Sequence, residues 1–92
     1  MGKSTGAAQA LVEAFFRTVP EGKKKQKNEV EWANSLSKFY LEAKEIRQRY
    51  SLGIFSRAAT AYKFQRLLLK AGFDANTARQ VVFSLVLNAF IG

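Results

Sequence analysis

Apolar residues recur along most of this chain at the spacing of amphipathic helices. Leu11, Phe15 and Val19 are spaced by four residues and predict a first helix over 7–19. A second helix is predicted over 29–51, where apolar residues at alternating steps of four and three share one face: Trp32, Leu36, Phe39, Ala43, Ile46 and Tyr50. The same spacing occurs in coiled coils, but in a chain of 92 residues we expect this stripe to pack against helices of its own domain.

Two further helices are predicted over 57–71 and 75–90, joined by a short corner. Ser56 is a candidate N-cap for the third helix, Gly72 ends it, and Asp74 caps the fourth. The third helix offers these apolar residues for packing: Ala61, Phe64, Leu67, Leu68 and Ala71. The fourth helix is apolar on most sides, so we expect it to be central in the bundle or covered by another chain.

These patterns predict an all-α protein, a single small domain over 1–92 with a four-helix bundle-like fold. The third and fourth helices would form an αα-hairpin, and the apolar C-terminal helix would be central. A lysine-rich polar stretch over 20–28 predicts a mobile basic loop between the first two helices. The apolar run over 81–91 is much shorter than the ~20 residues that a membrane span requires, so no span is expected.

Composition limits the possible function classes. The chain has no histidine, the side chain most often used for acid–base catalysis near neutral pH and for metal binding. It also has no cysteine, which fits a reducing compartment such as the cytoplasm. Glu42 and Glu45 have the spacing of some carboxylate metal sites, but Lys38 and Arg49 are better partners for them on the helix surface. We therefore expect a non-enzymatic protein without a metal or a cofactor.

The net charge of +8 is distributed unevenly along the chain. Residues 1–46 contain eight basic and six acidic side chains, whereas residues 47–92 contain seven basic side chains and one acid. The predicted third helix has no acid, and its Lys63, Arg66 and Lys70 fall within about 60° of arc at about 100° per residue. Such a basic face favours a polyanionic partner, either nucleic acid or an acidic protein surface.

The corner between the third and fourth helices resembles that of DNA-binding helix-turn-helix motifs. Gly72 would open the turn, and apolar residues flank it. Asn76, Arg79 and Gln80 follow, and their side chains are of types that hydrogen-bond to base edges in the major groove. Leu68 departs from the pattern, because such motifs usually need alanine or glycine there. The glycine and the phenylalanine after it also resemble the loop of ubiquitin-associated domains, and a plain αα-hairpin accounts for the same residues.

The predicted function is binding of nucleic acid or another polyanion through a basic face of the third and fourth helices. The candidate binding residues are Arg57, Lys63, Arg66, Lys70, Asn76, Arg79 and Gln80. The alternative is a protein-interaction or oligomerisation adaptor, including a homo-oligomer, that uses apolar surface of the second and fourth helices, with Val30, Ala33 and Tyr40 beside the stripe. The segment Gly2-Lys3-Ser4-Thr5 resembles the end of a phosphate-binding loop, but the glycine and strand required before it are missing, so we treat it as coincidental.

Overall fold

The computed structural model describes residues 2–19 and 29–91, and within these ranges all regular structure is helical. The helices are α1 Gly2–Thr18, α2 Glu29–Arg49, α3 Ile54–Lys70 and α4 Ala75–Leu85, and a π-helical turn, Val86–Phe90, continues α4. The predicted all-α bundle is confirmed, and α3 and α4 pack together as the predicted hairpin. None of the helices described here has the length and apolarity needed to cross a bilayer. The predicted basic loop over 20–28 lies outside the described residues.

Phenylalanine rings from three helices and the α3–α4 corner meet in the core. Phe15 of α1 is fully buried, and its ring centre lies 5.3 Å from that of Phe39 in α2. The rings of Phe64 in α3 and Phe73 in the corner lie 6.2 and 5.7 Å from Phe15, and all three pairs are edge-to-face. α1 contributes the buried residues Ala7, Ala8, Leu11, Ala14 and Phe15, and Val19, directly after the helix, is buried as well. α1 therefore packs between α2 and α3.

The regular stripe on α2 faces this core, as predicted. Phe39, Ala43 and Ile46 are buried, and Leu36 and Tyr50 pack against the core at either end of them. The side chain of Trp32 lies outside the described part of the structure. The burial of the remaining stripe shows that it serves packing within the bundle.

The structure corrects the predicted start of the first helix, which begins at Gly2 instead of Ala7. The serine, threonine and glycine residues of this segment have low helix propensity, and the pattern of apolar residues does not reach them. Tertiary contacts hold them in the helix. A Cβ atom on Gly6 would lie 3.2 Å from the ring of Tyr50, so glycine allows α1 to approach the end of α2 closely. Lys3 Nζ also donates a hydrogen bond to the carbonyl of Ser51 at 3.1 Å.

The structure also corrects the connection between α2 and α3. Ser51, with φ 53°, takes the left-handed conformation that ends α2, and the amide of Leu52 donates to the carbonyl of Arg47 at 3.0 Å. Gly53 is the N-cap of α3, which begins at Ile54, three residues before the predicted start at 57. Ser56, the predicted cap, therefore lies inside the helix. No side-chain hydrogen bond caps α3, so the local preference for serine does not decide where it starts.

The corner between α3 and α4 forms as its local chemistry predicts. Gly72 has φ 107°, and the amide of Phe73 donates to the carbonyl of Leu68 at 3.2 Å, so the two helices are joined by a Schellman-type turn. Asp74 Oδ1 accepts a hydrogen bond from the amide of Thr77 at 3.2 Å, which confirms the predicted cap of α4. Hydrogen bonds from the Thr77 side chain and amide lower the pKa of Asp74 below its ordinary value.

The C-terminal helix enters the core along one face. Its buried residues are Ala78, Val81, Leu85, Ala89 and Phe90. Leu85 and Phe90 lie five residues apart, a spacing that a π-helical turn brings to the same side. The apolar residues Phe83, Leu87 and Ile91 are instead more than half exposed. The bundle therefore buries one face of this helix and leaves other apolar side chains exposed, while cover by another chain stays a prediction.

Candidate polyanion-binding cleft

A cleft of about 310 Å³ lies between the start of α1 and the exposed side of α3. The residues that line it are Thr5, Ala8 and Gln9 of α1 and Tyr62, Lys63, Arg66, Leu67 and Lys70 of α3. Three of these side chains are basic, and none is a carboxylate. The cleft is therefore positively charged and has room for a ligand between two helices.

Lys63 is held in place by two hydroxyl groups. Its Nζ atom donates to Ser4 Oγ at 2.8 Å and to Thr5 Oγ1 at 3.0 Å. Both acceptors are neutral, so they orient the ammonium group without neutralising its charge. An ammonium group has three donors, and one of them is left for an anion in the cleft.

Arg66 and Lys70 extend the basic face along α3. The guanidinium carbon of Arg66 lies 5.9 Å from the ring centre of Tyr62, a cation–π arrangement that leaves its charge unpaired by any described carboxylate. Lys70 is exposed and makes no hydrogen bond or ion pair with the described residues. Like charges three and four residues apart on a helix repel each other by a few tenths of a kcal/mol, and a bound anion would relieve this repulsion.

No acid among the described residues forms an ion pair with the basic side chains of this face. The one ion pair among the described residues joins Arg17 of α1 to Glu42 of α2. The predicted pairing of Lys38 with Glu42 is therefore wrong. No ion pair joins Glu45 to Arg49 either. No group of three or more potential metal-ligating residues occurs in the described ranges.

The other predicted binding residues lie away from the cleft. Arg57 is directed to the end of the C-terminal helix, where its Nη1 donates to the carbonyl of Phe90 at 2.7 Å. Arg79 Nη1 donates to Asn76 Oδ1 at 3.3 Å on the exposed start of α4, and Gln80 is exposed beside them. The structure thus brings Lys63, Arg66 and Lys70 together. Of the remaining four, Arg57 lies at the end of the C-terminal helix, and the others lie at the exposed start of α4: Asn76, Arg79 and Gln80.

Several residues of the cleft were not predicted from the sequence. Thr5 lines the cleft, and Ser4 accepts a hydrogen bond from Lys63 beside it. Both belong to the segment treated as coincidental, and α1 includes them because it begins earlier than predicted. Gln9 lies one helical turn further along α1. The role of Tyr62 could have been predicted from the sequence, because Tyr62 lies four residues before Arg66 and therefore on the same exposed side of the acid-free helix.

A second cleft, of about 480 Å³, lies where α3 begins and the C-terminal helix ends. Its lining is apolar except for one guanidinium: Ile54, Arg57, Ala58, Val86, Phe90 and Ile91. Large apolar side chains are exposed on the same two elements, namely Ile54, Phe55, Phe83, Leu87 and Ile91, and we call these five the apolar patch.

Comparison of the chain with protein-family models, with curated proteins and with solved structures finds no match.

Proposed function

We propose that the protein is a non-enzymatic module that binds nucleic acid through the cleft between α1 and α3. The observation that carries this proposal is the grouping of Lys63, Arg66 and Lys70 along a cleft whose lining contains no carboxylate. Lysine and arginine side chains supply most contacts to nucleic-acid phosphates, and a lining without carboxylates avoids repulsion of the backbone. With no cysteine in the chain, we place this activity in the cytoplasm.

Removing the three cations of the cleft is expected to weaken binding and its dependence on salt. In the variant Lys63→Gln, Arg66→Gln, Lys70→Gln, affinity for a short DNA or RNA should fall on the order of 10- to 100-fold at ~50 mM salt. The slope of log affinity against log salt should become shallower by about 2 to 3, because each lost phosphate contact removes about 0.7 to 0.9. Fluorescence anisotropy with a labelled oligonucleotide, repeated from low to high salt, measures both quantities.

A matched control removes the same charge elsewhere. Lys38, Lys44 and Arg49 are exposed on α2 and do not line the cleft, so the variant with glutamine at these three positions has the same net charge as the cleft variant. It should keep most of the affinity. Equal losses for the two variants would contradict a localised site, and no binding of the wild-type protein to DNA or RNA at ~50 mM salt would leave an acidic protein surface as the partner to test.

The apolar patch supports a second candidate function, self-association. All five side chains of the patch are more than half exposed, and exposed large apolar side chains that gather on neighbouring elements generally mark an interface. The occupant that we consider is a second copy of the chain, because charge repulsion between two copies is smallest where few charged side chains lie. Two molecules with net charge +8 repel each other where basic side chains meet, whereas Arg57 is the one charged side chain that lines the cleft at the patch, and its guanidinium hydrogen-bonds to Phe90.

Polar substitution in the apolar patch is expected to abolish this self-association. Wild-type protein at about 10–100 μM should sediment as a dimer, whereas Ile54→Gln, Leu87→Gln should sediment as a monomer, because the core of an interface is predominantly apolar. Leu41→Gln is the control, since Leu41 is 63% exposed on α2 and lies outside the patch. A wild-type monomer that also fails to bind a dye for exposed apolar surface would remove this candidate.

A further inference from the structure

The cleft between α1 and α3 contains one aromatic ring, that of Tyr62. The three described tyrosines differ in their surroundings. Tyr40 and Tyr50 pack against the core, whereas Tyr62 lies outside the core cluster and is 60% exposed. Its ring has no aromatic partner in the described structure, and its one ring contact there is with the guanidinium of Arg66. The fold therefore does not need this ring for packing.

Where an exposed aromatic ring lies among basic side chains, the ring can contact a base while the basic side chains contact phosphates. Proteins that bind single-stranded nucleic acid combine a basic groove, which follows the backbone, with aromatic side chains on which bases stack. In a duplex the faces of the bases are already stacked on each other, so an aromatic ring gains nothing unless the strands separate. The guanidinium carbon of Arg66 lies over one face of the Tyr62 ring, 5.9 Å from its centre, so a base that stacks on the other face has a cation next to it.

We propose that the cleft binds single-stranded nucleic acid, with one base stacked on Tyr62 and the neighbouring phosphates held by Lys63, Arg66 and Lys70. This inference rests on the proposed function and adds the type of strand to it. The cations extend over about 10 Å of α3, given a rise of about 1.5 Å per residue, so the cleft holds a short piece of strand. The ammonium of Lys63, fixed by Ser4 and Thr5, gives the backbone a defined contact point beside the stacked base.

The test compares strands that have the same phosphates but differ in their bases. Wild-type protein should bind single-stranded oligothymidylate or oligouridylate about 5- to 100-fold more tightly than an abasic strand of the same length, the gain expected from stacking one base. Tyr62→Leu should lose that gain and bind the abasic strand as the wild-type protein does. Tyr62→Phe keeps the ring and should retain the gain. Phe16→Leu, which changes a 36% exposed ring outside both the cleft and the apolar patch, should have no effect.

The outcomes separate this inference from the proposed function. If Tyr62→Leu binds every strand as the wild-type protein does while the three-cation variant weakens them all, the cleft binds phosphates without stacking, and the single-strand inference is overturned. Tighter binding of a duplex than of either single strand also overturns it. Failure of the three-cation variant to weaken any strand overturns the proposed function itself. A preference for oligouridylate or for oligothymidylate supports the inference and identifies RNA or DNA as the source.

Discussion

Replacing Phe15 with alanine is expected to lower the free energy of unfolding by about 3–5 kcal/mol. The side chain is fully buried, and its ring lies against those of Phe39, Phe64 and Phe73. Alanine would remove all three ring contacts and leave a cavity where α1, α2 and the α3–α4 corner meet. Among the described ring–ring contacts, no other aromatic side chain joins as many elements.

Urea denaturation followed by circular dichroism measures this loss. Small domains have total stabilities of about 5–15 kcal/mol, so Phe15→Ala could leave the protein largely unfolded. Phe15→Leu gives a second measurement within range, because a smaller cavity should cost about 1–2 kcal/mol. Phe55→Ala is the matched control, since Phe55 is 88% exposed and its truncation should change stability by less than about 0.5 kcal/mol. Similar losses at positions 15 and 55 would contradict the placement of Phe15 in the core.

The elements that the sequence predicts best are those with local signals. The stripe on α2 needs only the helical repeat to identify its buried face, and the burial of Phe39, Ala43 and Ile46 agrees with it. The α3–α4 corner likewise depends on neighbours in sequence. Gly72 supplies a positive φ at little cost. Asp74 directly precedes α4 and caps it by accepting a hydrogen bond from the amide of Thr77, three residues further on.

The features that the sequence does not predict depend on contacts between distant residues. No residue near Ser4 in the sequence indicates that Lys63, 59 positions further along the chain, will donate a hydrogen bond to it and help to hold it in a helix. The π-helical turn is similar, since Arg47 and Arg57 donate to the carbonyls of Ala89 and Phe90 from 42 and 33 positions away. Propensity and periodicity describe the chain only over a few turns, so neither could place these contacts.

The candidate site shows the same division. Lys63, Arg66 and Lys70 share one side of a single helix, so angular spacing alone predicts that they lie together, and they do. Arg57 is on the same helix but about 120° around it from Lys63, at about 100° per residue, and it binds a carbonyl at the end of another helix. The sequence shows which residues are basic, but only the fold determines whether a basic side chain is directed to a cleft or to the end of a helix.

Replacing Leu68 with alanine is expected to lower the free energy of unfolding by about 2–5 kcal/mol. Leu68 is fully buried, and its carbonyl accepts the hydrogen bond from Phe73 that closes the corner. A helix-turn-helix motif usually has a small residue at this position so that the helices cross tightly, and it would tolerate alanine. A wide αα-hairpin needs the leucine to fill the space between its helices, so a large loss is the result expected for a plain hairpin.

Leu69→Ala is the control for this experiment because it makes the same change at the neighbouring position. Leu69 is 41% exposed, so its truncation should cost distinctly less than that of Leu68, about 1 kcal/mol or below. Denaturant midpoints of both variants, measured against the wild-type protein, give the difference. If Leu68→Ala cost no more than Leu69→Ala, the corner would tolerate a small residue, and entry of α4 into a DNA major groove through Asn76, Arg79 and Gln80 would regain support. The expected large and specific loss would leave base-edge recognition at the corner without its structural basis, and the proposed site for nucleic acid would then be the cleft between α1 and α3.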